Sequence, residues 1–95
     1  MAHLFLMLML LKARYAQVPG TDPSYGQGAI ERNDLAHREI EPFVWLIQVE
    51  EPGDPATWRA NLNAAVSPEH GSFTVECATP EEESALAAGK ITLQR

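Results

Sequence analysis

Leu4-Phe5-Leu6-Met7-Leu8-Met9-Leu10-Leu11 is an unbroken run of eight apolar side chains. A helix needs about 20 such residues to cross a bilayer, so the run cannot span one as a helix. It does not read as a secretory leader either, which carries positive charge before its apolar stretch and small residues at its cleavage site. Only Met1-Ala2-His3 precede the run, and Lys12 and Arg14 follow it. With Ala13 or Ala16 as the last residue before a cleavage point, the −3 position falls on Leu11 or Arg14, neither of them small. The run is therefore expected to be buried inside the protein. Leu and Met favour helix, and with every position apolar the periodicity decides nothing. The length decides: eight residues is short for a buried helix and ordinary for a strand covered on both faces.

The 95 residues are read as one domain, residues 1–95. A chain of this length buries only about 60–65% of the surface that its unfolded form exposes. A partner or a second copy would add to so small a core, and a homo-oligomer or a hetero-complex is expected. Asp and Glu number 13 against 7 Lys and Arg, for a net charge of −6. Such a surface repels phosphate backbones and anionic lipid headgroups, which argues against direct nucleic-acid or membrane-surface binding and permits a basic protein partner. Cys77 is the single cysteine, so neither an internal disulfide nor a cysteine metal cage can form. That fits a reducing, cytoplasmic setting.

Residues 15–28 hold three Gly and two Pro, and Pro19-Gly20 and Asp22-Pro23 mark turns. They read as one long loop anchored by Tyr15 and Tyr25. Residues 29–41 read as a polar helix or an irregular segment, with Ile30, Leu35, Ala36 and Ile40 as a ragged apolar stripe. Phe43-Val44-Trp45-Leu46-Ile47-Gln48-Val49 is the clearest strand, β-branched and aromatic, apolar on both faces and so central in its sheet. Asp54-Pro55 opens a helix with a capping side chain and a proline at its first position. Its apolar face carries Trp58, Leu62, Ala65 and Val66, and Ser67-Pro68 stops it. Phe73, Val75 and Cys77 alternate with Thr74 and Glu76 as a half-buried strand. Thr79 and Glu82 make a capping box for a last helix that begins Pro80-Glu81-Glu82-Glu83, and Gly89 closes it. Ile91 to Arg95 alternates again and reads as a short final strand.

The pattern predicts an α+β fold: a small single-layer sheet of about four strands with two or three short helices packed on one face. Size and the N-terminal strand are compatible with a ferredoxin-like arrangement, such as small monooxygenase or isomerase domains adopt. That likeness is one of fold alone and implies no function.

No chemistry-bearing motif stands out. Cys77 shares a strand face with Phe73 and Val75 and reads as a buried, inert thiol. His3, His37 and His70 match no metal-binding spacing, so neither metal nor cofactor is expected. Gly26-Gln27-Gly28 follows a loop rather than a strand, contrary to what a dinucleotide fingerprint requires. Trp58 reads as core, whereas Trp45 is open to facing a partner. The leading expectation is a non-enzymatic protein-binding or assembly module, for instance a viral or bacterial accessory subunit or an acidic inhibitor. Tyr15, Asp22 and Tyr25 of the loop would make contact, and Glu50, Glu51, Glu81, Glu82 and Glu83 would steer a basic partner. The alternative is a small dimeric α+β barrel enzyme, its pocket between sheet and helices lined by Tyr15, Tyr25, His37, Trp58 and Asn61.

Overall fold

The computed structural model describes residues 8–95. Its elements are β1 (Leu8–Gln17), α1 (Tyr25–Arg32), β2 (Ala36–Glu41), β3 (Val44–Glu50), α2 (Pro55–Asn63), β4 (Gly71–Cys77) and α3 (Pro80–Ala87). The four strands form one antiparallel sheet in the order β2-β3-β1-β4. β1 and β2 run parallel with β3 between them, and β3 and β4 run parallel with β1 between them. This is the split β-α-β unit used twice, a ferredoxin-like topology. The uniform hand of such crossovers brings α1 and α2 to the same face of the sheet. The α+β expectation holds.

That face carries the core. Leu11, Ala13 and Tyr15 of β1, Trp45, Ile47 and Val49 of β3 and Phe73 of β4 pack with Ala29, Ile30, Leu35 and Leu62. The opposite face is partly covered as well, since Leu10, Val44 and Leu46 are buried there. Lys12 points to that side and meets Glu82 of α3 at 2.9 Å, so the last helix lies across the face that α1 and α2 leave bare. With apolar residues on both faces, β3 reads as an apolar run from Val44 to Ile47, and β1 reads as one as far as Leu11.

Several sequence expectations need correction. The first strand extends to Gln17, while Leu4 to Met7 lie outside the described residues. The expected loop over 15–28 shrinks to residues 18–24. Tyr15 is a core residue of β1, and Tyr25 begins α1. Gly26 and Gly28 read as loop formers, yet Gly26 sits in α1 because the helix presses on aromatic rings. A Cβ at Gly26 would stand 2.8 Å from the Tyr15 ring and 3.1 Å from Trp45. The polar helix expected over 29–41 is the end of α1 followed by β2. Asn33 caps α1, its side chain donating to the Ala29 carbonyl at 2.8 Å, and Asp34 takes the left-handed conformation at φ 55°. Asn and Asp tolerate that conformation, which ends the helix. β2 and β3 are then joined by Pro42 and Phe43, with Phe43 at φ 63° where a turn of this kind favours glycine. Glu39 accepts from the Phe43 N–H at 3.0 Å, and the Phe43 ring packs against the core. The expected last strand reduces to one bridge between His37 and Gln94. Trp45 is 2% exposed and faces no partner, and Cys77, at the end of an edge strand, is exposed rather than buried.

The helix starts follow the sequence. Asp54 accepts from the Thr57 N–H at 3.0 Å, and Thr79 and Glu82 close a reciprocal capping box. The Thr57 hydroxyl and amide hold the Asp54 carboxyl below its ordinary range. Partial burial of Glu82 pushes its carboxyl upward, but the Thr79 backbone, Lys12 and the Thr79 hydroxyl outweigh this and leave it lowered.

Both carboxyls are lowered in the folded state, so their stabilising effect is full above the unfolded range of about 4 and is lost as pH falls through the folded values. Chemical denaturation should show a midpoint that drops on acidification below about pH 4, with a shallower drop in Asp54→Asn. The two helical glycines should respond oppositely to alanine. Gly28→Ala should raise stability by about 0.5–1 kcal/mol, because its Cβ meets only the flexible Arg32 guanidinium at 3.2 Å. Gly26→Ala should lower stability by about 1–3 kcal/mol, because the rings beside it cannot yield; melting curves of the pair check this.

Candidate functional site

A cleft of about 410 Å3 opens at one end of the sheet. Leu8 of β1, Ala36 of β2 and Gln48 and Glu50 of β3 form one side of it. Asn33, Asp34 and Leu35, where α1 ends, form another, and Glu51, Trp58 and Arg95 complete the rim. The left-handed turn at Asp34 is what brings the end of α1 to this place. Trp58 is fixed by its indole N–H, which donates to the Pro52 carbonyl at 2.7 Å. Arg95 reaches Asp34 at 3.2 Å, but both side chains are well exposed, so the pair contributes little. Glu50 and Glu51 are exposed and have no ion-pair partner among the described residues.

A second polar cluster lies half-buried where α1 meets β2 and β3. The Trp45 indole N–H donates to Gln27 Oε1 at 2.9 Å. An indole can only donate, so it fixes which way the Gln27 amide points. Gln27 Nε2 then faces His37 Nε2 at 2.9 Å and must donate to it. The imidazole proton therefore sits on Nδ1, which faces the Leu35 carbonyl at 2.9 Å. Both ring nitrogens of His37 are engaged, and the chain of bonds ties α1 to β2 and β3. The Tyr15 hydroxyl is internal, buried without a hydrogen-bond partner. Burial, with a smaller contribution from Tyr25, raises its pKa.

The residues expected to bind do not converge. Tyr15 is inside the core and offers no contact surface. Tyr25 is half-buried and stacks on the His70 ring, with centroids 4.1 Å apart. Asp22 is exposed but accepts the Ser24 N–H at 2.8 Å, a turn contact that lowers its pKa. Glu82 is held by Thr79 and Lys12. Glu81 and Glu83 are exposed on the first turn of α3 and do not line the cleft. Only Glu50 and Glu51 reach it. Of the lining foreseen for a pocket, Trp58 alone is found there, and Tyr15, Tyr25, His37 and Asn61 are not. Sequence reasoning missed Asn33, Asp34, Gln48 and Arg95. Asn33-Asp34 was the available signal, as a pair that commonly ends helices.

Among the described residues no three His, Cys, Asp or Glu side chains gather to hold a metal ion. No helix among them is long and apolar enough to cross a membrane. Compared with protein families, with curated proteins and with solved structures, the chain matches none of them.

The half-buried cluster yields a test. Gln27→Ala strands the Trp45 indole N–H and one His37 nitrogen, and should cost about 1–3 kcal/mol by urea denaturation. A cost near zero would mean that the relay from Trp45 to His37 contributes nothing to the fold.

Proposed function

We propose that this protein is a non-enzymatic binding or assembly module whose acidic cleft receives a basic segment of a protein partner. The observation that carries this reading is the pair Glu50 and Glu51, unpaired among the described residues, on a cleft that also holds Trp58. An aromatic face beside carboxylates suits Lys and Arg side chains. The net charge of −6 would speed the approach of such a partner, most strongly at low salt. Leu8 and Met9, 49% and 38% exposed, add apolar area at the start of β1 for a partner or for a second copy. The setting we infer is the cytoplasm, where exposed Cys77 remains a thiol. An accessory subunit and an inhibitor of a basic protein both fit this chemistry.

A second reading, a small dimeric α+β barrel enzyme, has one observation in its favour: the cleft volume of about 410 Å3 is within the range of small-molecule sites. The histidine and tyrosine foreseen for its chemistry do not line the cleft: both ring nitrogens of His37 are engaged elsewhere, and the Tyr15 hydroxyl is buried in the core.

Titration of 15N-labelled protein with an acetylated, amidated hexa-lysine peptide tests the proposal. The Trp58 indole and the Glu50 and Glu51 amides should shift first. Glu50→Gln with Glu51→Gln should weaken binding about fivefold or more, while Glu81→Gln with Glu83→Gln should change it less than about twofold. Equal losses from the two pairs would reduce the effect to net charge and overturn the cleft as the binding site.

A further inference from the structure

The sheet has two edges, and the protein treats them differently. The β2 edge is met by its own C-terminal tail: His37 N–H donates to the Gln94 carbonyl at 2.8 Å, and Gln94 N–H returns to His37 at 2.9 Å. The other edge is β4. In its ladder with β1, Val18 N–H donates to the His70 carbonyl at 2.8 Å and Ala78 N–H to the Leu10 carbonyl at 3.2 Å. Inward-bonded and outward-facing residues alternate along an antiparallel ladder. Even-numbered residues of β4 thus turn their backbone groups to β1, while Phe73, Val75 and Cys77 turn theirs outward.

At Phe73 the outward groups are satisfied from within. Asn63, the last residue of α2, accepts from the Phe73 N–H at 2.7 Å and donates to the Phe73 carbonyl at 3.3 Å. One side-chain amide stands where a neighbouring strand would be. Beyond it, the outward N–H and C=O groups of Val75 and Cys77 have no partner among the described residues. The window is therefore two outward-facing residues long, flanking Glu76, and Asn63 sets where it starts.

The charge at its centre decides what fits. A second copy using the same window about a two-fold axis would place Glu76 opposite its own counterpart, between chains that each carry −6. Like charges directly opposite are destabilising in a sheet. An added strand with a cation opposite Glu76 meets no such penalty, and joins the pair that Glu76 already forms with Arg14 at 3.3 Å. Its neighbours on either side fall on the face of Val75 and Cys77, where apolar side chains suit.

We propose that the Val75–Cys77 edge of β4 is a strand-addition site for an extended segment of a partner protein carrying Lys or Arg between two apolar residues. This surface is separate from the acidic cleft and shares no lining residue with it. Backbone hydrogen bonds supply the affinity, and Glu76 supplies the selectivity, as in other augmented sheets.

The test is amide hydrogen exchange with the peptide Ac-Thr-Val-Lys-Val-Thr-NH2 at about 1 mM. The Val75 and Cys77 amides should slow about tenfold or more, with the Trp58 indole unshifted. The Lys→Glu peptide should fail on the natural chain and be preferred by Glu76→Lys. A peptide N-methylated at both valines should lose the effect, which tests the ladder without altering the fold. Unchanged Val75 and Cys77 amides would overturn the proposal, as would equal protection by the Lys and Glu peptides. Shifts confined to the Trp58 indole would place the peptide in the cleft and overturn it too. Concentration-dependent protection in the absence of peptide would show a second copy at the edge and overturn the stated partner.

Discussion

The pairing of β1 with β3 is the interaction on which the remaining architecture depends. It sets Leu11 opposite Ile47 and Ala13 opposite Trp45 at the centre of the sheet. These are the two most apolar strands of the chain, and between them they place Leu10, Leu11, Ala13 and Tyr15 of β1 and Val44, Trp45, Leu46, Ile47 and Val49 of β3 in buried positions. β2 and β4 then have only one free side each on which to add, and the crossovers through α1 and α2 close over a single core. Trp45 is the pivot of that core, at 2% exposure. Its indole N–H cannot be left dry at modest cost, so Gln27 must answer it, and His37 must answer Gln27. Gly26 is needed beside them because no side chain fits between α1 and the rings of Tyr15 and Trp45. A helix with two glycines in its first turns is tolerated because packing rather than propensity holds it.

The acidic residues divide into two sets by what they do. Asp22, Asp54 and Glu82 are committed to backbone amides at turns and helix starts, where their charge is held by local hydrogen bonds. Glu50 and Glu51 have no such local duty and lie at the cleft. Glu76 belongs to both sets, paired with Arg14 yet standing at the centre of an open stretch of sheet edge. The net charge alone does not separate structural carboxylates from those left to meet a partner.

The two sheet edges show a related division. One is closed by the tail at His37 and the other is half closed by Asn63. Unpaired edges invite association, and proteins commonly blunt them with charge or cover. Here the cover is a single amide, and the charge is a single glutamate.

What the sequence by itself determined were the features that act through local chemistry or through a strong pattern. Phe43–Val49 is legible as a central strand because its apolar run has no other place to go. The starts of α2 and α3 are legible because Asp54-Pro55 and Thr79–Glu82 satisfy free amides a few residues away. The alternation from Phe73 to Cys77 gives β4. Tertiary structure decided the rest. Tyr15 reads as a loop anchor near Pro19-Gly20, but the ladder with β4 carries β1 two residues past Tyr15, to Gln17. Tyr25 to Gly28 reads as loop because two glycines depress helix propensity, and only the Tyr15 and Trp45 rings explain them. Ala36 to Glu41 has too few apolar residues to announce a strand, since an edge strand is held by backbone bonds to its neighbour. Cys77 shares the strand face of Phe73 and Val75 and yet is exposed, because α2 covers β4 only as far as Asn63 reaches. The cleft gathers residues from positions 8 to 95, and no local pattern records a meeting of chain segments so far apart in sequence.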